Sequence, residues 1–295
     1  MIRFSFLLLA VGLAFSSCTS KKAKLQKEIA SFLDRQEGTF AVAFKDLQTG
    51  DEILIREHES FHAASTMKTP VMIEVFKQAS EGKFSLTDSI TIKNEFKSIV
   101  DGSTFSLDSM EDSEQLLYTQ LGKKKLLSDL VYDMIIVSSN LATDLVIELV
   151  DAKNVMQTMR SYGAKDMQVL RGVEDDKAYE LGLNNTTMAY DLMVIFEKIA
   201  RGKAVNEKAS KAMIAILLDQ KFNTIIPAKL PPDVKVAHKT GSITSVHHDS
   251  GIVYLPDGRS YVLVLLSKGF QDEPVACDAM ATVSEMIYRY VANNK

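Results

Sequence analysis

The chain is 295 residues long, 46% hydrophobic and 24% charged, which suits an ordinary globular protein built as one large domain or two modest ones. A net charge of −4 without a clustered basic face argues against nucleic-acid partners. There is no Trp, and the 13 Met and 14 Phe read as core filling.

The N-terminus reads as a secretory signal. Arg3 supplies a positive start, and residues 4–15 are apolar but too short for a membrane span, which needs ~18 residues or more. Ser16-Ser17-Cys18 then sets a cysteine directly after small residues, as in a bacterial lipoprotein processing site. Residues 1–18 are therefore expected to be a signal, with Cys18 lipidated and residues 19–24 a tether; plain secretion with cleavage nearby is the alternative. Either way the mature protein lies outside the cytoplasm, in the periplasm or held at a membrane through its lipid. Cys277 is then the unmodified cysteine, and no intramolecular disulfide is available.

Residues 21–36 carry Leu25, Ile29 and Leu33 at helical spacing, so the tether runs into an amphipathic helix. Residues 39–44 alternate like a strand, Thr49-Gly50-Asp51 is a turn, and residues 53–55 form a second strand, a hairpin that delivers the chain to Ser65. A buried helix runs from Ser65 to about Ala79, and residues 86–92 look extended. Residues 95–115 are mixed and partly acidic, a surface excursion that could border a cleft. Helices are expected over residues 123–137, 141–150 and 155–162. Residues 167–185 show little periodicity. Thr186-Thr187 is expected to cap a helix through Ala200, and another covers residues 207–218. After Pro231-Pro232 come strands over residues 234–241, 249–255 and 260–267, and residues 274–292 form a last helix. Strands at both ends with helices between predict one mixed α/β (α+β) fold: a sheet part from residues 25–64 and 205–295, a helical part from residues 65–204, and a cleft between them.

The chemistry concentrates in short motifs. Ser65 stands at an expected helix start, and Lys68 follows three residues on, so both side chains share a helix face. A neutral amine beside a hydroxyl can take its proton, and the positive end of a helix favours an anion forming there. Singly the pair is weak, since Ser80 and Lys83 repeat the spacing at an ordinary helix end. Ser138-Ser139-Asn140 follows an apolar helix, and Lys239-Thr240-Gly241 closes an expected strand. Each has a plain structural reading: Ser138 as a helix end, Asn140 as a cap, Lys239 as a solvated edge residue. In order along one chain they read together as a site. His238, His247 and His248 suggest a metal, but no recurring Cys or carboxylate pattern accompanies them and strand neighbours face opposite ways. Neither a metal nor a cofactor is expected.

With these motifs in this order the chain resembles the class A serine β-lactamases and the related penicillin-binding proteins over residues 25–290. The resemblance implies a five-stranded antiparallel sheet flanked by helices, plus an all-α domain. It implies a serine hydrolase whose small-molecule substrate is a β-lactam or an acyl-D-Ala peptide; a monomer is expected, though no sequence feature decides it. Ser65 would attack the amide carbonyl to form an acyl-enzyme, with its own N–H and that of Ser242 forming the oxyanion hole. Lys68 would manage the Ser65 proton, and Ser138, held by Lys239, would pass a proton to the leaving nitrogen. Asn140 would bind a substrate amide and fix Lys68. Thr240 and Ser242, around Gly241, would hold the substrate carboxylate, with Lys239 adding positive field.

The match departs in two places. Ser139 stands where the family has Asp, which weakens support for the local backbone. The family's deacylating acid lies in a Glu-x-x-Leu-Asn loop. Here Glu174 follows Leu170-Arg171, but position 178 is Ala; Glu180 begins Glu180-Leu181-Gly182-Leu183-Asn184, yet lies close to the next helix. Glu174 is the preferred acid and Glu180 the alternative. A poor water site would leave an enzyme that acylates and stalls, as a D-Ala-D-Ala peptidase or esterase does with a β-lactam. A lipoprotein binding module without catalysis is the remaining reading, and the retention of Ser65, Lys68, Ser138 and Lys239 together argues against it.

Overall fold

The computed structural model describes residues 21–294; the expected signal over residues 1–18 and its Cys18 lie outside the described residues. In chain order the elements are α1 (Lys21–Leu33), β1 (Thr39–Asp46), β2 (Glu52–Ile55), β3 (Phe61–His62), a short 3-10 turn (Ala64–Met67) and α2 (Lys68–Ser80). Then come β4 (Ser89–Thr91), β5 (Phe96–Lys97), β6 (Thr104–Phe105), a second 3-10 turn (Gln115–Gln120), β7 (Lys124–Leu126), α3 (Leu127–Ile136), α4 (Asn140–Val150) and α5 (Ala152–Tyr162). The chain ends with α6 (Asp176–Glu180), β8 (Thr186–Thr187), α7 (Ala189–Ala200), α8 (Glu207–Leu218), β9 (Lys235–Ile243), β10 (Val246–Tyr254), β11 (Ser260–Lys268) and α9 (Glu273–Asn293). Among the described residues no helix is long and apolar enough to cross a membrane.

The main sheet has five antiparallel strands in the order β2-β1-β11-β10-β9, so the first and last parts of the chain close one sheet. Its two faces bury different cores. Phe40, Val42 and Phe44 of β1 join Leu263 and Leu265 of β11 against Leu25 and Ile29 of α1 and Met280, Val283 and Ile287 of α9. Ala41, Ala43, Val264 and Leu266 face the other way, onto Met67, Val71 and the helical part. Burial on both faces is why β11 reads as a continuous apolar run rather than an alternation.

Helix α2 is the axis of the helical part. Val71, Met72, Ile73, Val75 and Phe76 are all buried, the mark of a helix surrounded by protein. Pro70 sits in its first turn, where a missing N–H leaves no intrahelical bond unmade. Even its Glu74 is buried, accepting from Thr158 Oγ1 at 2.5 Å and Gln78 Nε2 at 2.8 Å, which ties α2 to α5.

Several elements differ from the sequence expectation. Residues 21–24, expected as tether, already belong to α1. Residues 124–126 pair with β4 instead of opening a helix, because their lysines offer no face to bury and the periodic apolar stripe begins at Leu127. Thr186-Thr187 does not cap α7. It pairs with Phe61-His62, which suits β-branched residues, and α7 begins at Ala189.

Candidate active site

Ser65 lies in the 3-10 turn between β3 and α2, half-buried at the edge of a cleft of about 360 Å³ that Asn140, Glu174 and Ser242 also line. The turn is tightly wound. Ala64 has a φ of +44°, an unfavourable conformation for a residue with a side chain, and its N–H donates to His62 Nδ1 at 3.0 Å. Strand β9 crosses this turn at Gly241. A Cβ there would stand 3.1 Å from the Ser65 and Thr66 nitrogens, tighter than an ordinary contact, so any side chain would press strand and turn apart. The approach brings the Ser242 end of β9 beside the Ser65 amide.

Lys68 is wholly buried at the start of α2 and reaches across to the turn before α4. Its Nζ donates to Ser138 O at 2.6 Å, Ser138 Oγ at 3.2 Å, Ser139 O at 3.4 Å and Asn140 Oδ1 at 2.9 Å. Burial drives its ammonium down to about 8, against the pull of the Asp112 and Glu174 carboxylates. Ser138 holds a φ of +59°, which turns its hydroxyl between two lysines. Lys239, also wholly buried, donates to Ser138 Oγ at 3.1 Å and to Thr240 O at 2.9 Å. Burial holds its pKa well below the usual lysine value, and the facing Lys68 adds to this.

Asn140 joins this group to Glu174: its Nδ2 donates to Glu174 Oε1 at 2.8 Å, while its Oδ1 accepts from Lys68. The Glu174 carboxyl also accepts from the Asp108 N–H at 3.0 Å, and burial raises its pKa. The loop that carries it closes on itself. Asn185 Oδ1 accepts from Leu170 N at 2.8 Å, and Arg171 donates to Leu183 O at 3.1 Å and Asn184 Oδ1 at 3.2 Å. Glu180, the alternative acid, is exposed at the end of α6 and does not line the cleft.

Two residues of this neighbourhood, Asp144 and Asp112, escape sequence reasoning, and a third, His247, is read there only as a metal candidate. Asp144 is buried in α4 and accepts from the Val173 N–H at 2.7 Å; burial pushes its carboxyl up to about 8, so it stands neutral beside the acid loop. Asp112, in the segment read as a surface excursion, is buried and accepts from the Asn140 and Leu141 N–H groups at 2.9 Å. His247 shares a hydrogen bond of 3.0 Å with Ser242 Oγ, at the residue expected to hold a substrate carboxylate. Nothing local in the sequence signals these roles, because each partner lies far off in the chain or across a strand turn.

The remaining histidines diverge as the strand argument expects. His238 pairs with Asp249 at 2.8 Å, and His248 Nε2 bonds His62 O at 2.8 Å. Among the described residues, His247, Glu273 and Cys277 do bring nitrogen, oxygen and sulfur within 4.8 Å of one another. However, His247 meets Cys277 through Nδ1 at 3.6 Å and Glu273 through Nε2 at 3.2 Å, so the two contacts use different ring nitrogens. Burial raises the Cys277 thiol to about 11.

Residues 24–291 match the Beta-lactamase enzyme family. Among curated proteins, the extended-spectrum β-lactamase PER-1 of Pseudomonas aeruginosa is 23% identical over 300 aligned positions, covering 96% of this chain and 92% of its own. A β-lactamase of Bacteroides uniformis is 22% identical, with 90% of each chain covered. Among solved structures, PBP-A superposes with a TM-score of 0.79 at 26% identity, covering 91% of this chain and 96% of that one. The extended-spectrum β-lactamase TLA-1 superposes at 0.82 with 17% identity, covering 93% and 100%, a likeness of fold. With a match that spans nearly all of the described residues, the chain belongs to the Beta-lactamase enzyme family.

Proposed function

We propose that this protein is an exported serine β-lactamase of the class A kind, which opens β-lactam rings through an acyl-enzyme on Ser65. The carrying observation is one continuous chain of hydrogen bonds: Lys68 to Ser138 Oγ and Asn140 Oδ1, and Asn140 onward to Glu174. That chain joins Lys68 and Ser138, the proton carriers of acylation, to Glu174, the group needed for turnover. Ser65 Oγ attacks the lactam carbonyl carbon and gives its proton to neutral Lys68. The oxyanion that forms is met by the Ser65 and Ser242 N–H groups. The C–N bond then breaks, and the nitrogen takes a proton from Ser138 Oγ, which Lys68 replenishes. Thr240 and Ser242 hold the substrate carboxylate. A water between Glu174 and Asn140 gives its proton to Glu174 and attacks the ester, and the proton returned to Ser65 frees the product.

A second reading has its own support. PBP-A, 26% identical, has been solved in a variant form as an acyl-enzyme with penicillin G. In this chain, position 178 is Ala and supplies no amide beside Glu174. Slow deacylation would make the protein a D-Ala-D-Ala peptidase or esterase that penicillin traps.

Intact-protein mass spectrometry with penicillin, followed in time and compared with Ser65→Ala, tests both. A transient adduct with accumulating product is the expected outcome. A persistent adduct selects the peptidase reading, and the absence of both adduct and product removes the β-lactamase assignment.

A further inference from the structure

Asp112 lies in the segment between β6 and the second 3-10 turn, whose composition reads as a plain acidic surface. It is nevertheless only 3% exposed. One of its oxygens, Oδ2, accepts from Asn140 N and Leu141 N at 2.9 Å each, from Tyr118 OH at 3.0 Å and from Ser139 Oγ at 3.4 Å. Its Oδ1 accepts from Glu114 N at 3.0 Å, which fixes the carboxylate on its own loop. These donors include the first free amides of α4, which a negative charge satisfies well.

The placement matters because the turn that Asp112 holds is the one that Lys68 uses. Ser138, Ser139 and Asn140 supply all the acceptors found for Lys68 among the described residues. Ser138 sits there in a left-handed conformation, which is uncommon for a residue with a side chain and needs its neighbours to hold it. Ser139 caps α4 through Ala142 N at 3.2 Å, a neutral cap that leaves the Asn140 and Leu141 amides to another acceptor. The same loop also donates the Asp108 N–H to Glu174.

We propose that Asp112 is a positioning residue for the reaction, supplying from a distant loop the carboxylate that position 139 lacks, and so holding Ser138 and Asn140 where Lys68 and Glu174 meet them. This rests on the catalytic reading of Ser65 given above. Its reach is specific: a carboxylate delivered to the same amides from position 139 should do the same work, since Asp is as good an N-cap as Ser.

The test compares purified wild type, Asp112→Ala, Ser139→Asp and the double variant. The rate of Ser65 labelling is read by intact mass with penicillin G and, separately, with an alkyl fluorophosphonate, which reacts with an activated serine whatever its substrate. Asp112→Ala should slow both labels by about 100-fold, the scale of a misplacement of about 1 Å. Adding Ser139→Asp should recover most of that loss, while Ser139→Asp alone sets two carboxylates on one group of amides and should bring no gain. Wild-type labelling by Asp112→Ala overturns the proposal, as does a folded double variant that labels as slowly as Asp112→Ala alone. Should Asp112→Ala fail to fold, the double variant decides: folded and labelling supports the proposal, unfolded overturns it. Labelling of wild type by the phosphonate but not by penicillin removes the β-lactam reading and leaves the phosphonate rates to judge Asp112. Failure of both labels on wild type removes both.

Discussion

Lys68 and Lys239, both wholly buried, donate to the same hydroxyl, Ser138 Oγ, at 3.2 and 3.1 Å. Two ammonium groups this close cannot both be charged without penalty, and burial adds to it. The arrangement therefore favours a lysine that is neutral near physiological pH, the state in which an amine can accept a proton.

The first prediction follows from the Lys68 value of about 8. If Lys68 must be neutral to act, single-turnover acylation by penicillin should rise with pH to a plateau above about 8. The Glu174 carboxylate favours the charged form of Lys68. Glu174→Gln should therefore move the rising limb to lower pH. Stopped-flow acylation across pH checks both points, and a limb that shifts upward in the variant would falsify this electrostatic account.

A second prediction separates the two candidate acids. Glu174 touches Asn140 inside the cleft, whereas Glu180 is exposed outside it. Glu174→Ala should still be acylated but release product at least ~100-fold more slowly, the range of a lost general base. Glu180→Ala should be kinetically silent. The adduct lifetime by mass spectrometry is the deciding measurement.

What could be read from the sequence was what is local. The strands of the main sheet carry apolar runs, helices α8 and α9 carry periodic apolar stripes, and the motifs at Ser65, Ser138 and Lys239 are short spacings. Their convergence on one hydroxyl is a matter of folding across 70 and 101 residues, which no spacing announces. Asp112 and Asp144 were illegible for the same reason: the amides they hold lie 28 and 29 residues on. Thr186-Thr187 misled because a β-branched pair before a helix can serve as a cap or a strand, and only the partner β3 decides.

Gly241 provides the third prediction. Its missing Cβ is what lets β9 lie against the Ser65 and Thr66 amides, 3.1 Å from where that atom would be. Gly241→Ala should push the Ser242 N–H away from the Ser65 amide. The expected loss is ~100-fold or more in acylation rate, comparable to removing one oxyanion donor, with little change in melting temperature. An unchanged rate would mean that Ser242 does not serve the oxyanion.

The last prediction concerns a carboxyl group that the chemistry does not use directly. Asp144 is neutral in the folded protein up to about 8, raised mainly by burial, while in the unfolded chain an aspartate ionises from about 4 upward. Below both values the two states bind the proton equally and Asp144 has no pH-linked effect. As pH rises from about 4 to 8 the unfolded chain releases its proton and the folded protein keeps it, so stability falls through that window. Asp144→Asn keeps an acceptor for the Val173 N–H, bound at 2.7 Å, and cannot ionise in either state. The variant should match wild type near pH 4 and exceed it near pH 8, by at least about 1 kcal/mol or about 3 °C in melting temperature. Thermal melts at the two pH values check this. A variant less stable than wild type at pH 8 would show instead that Asp144 is ionised there and works as a counter-charge to Lys68 and Arg171, the cations that oppose its raised pKa.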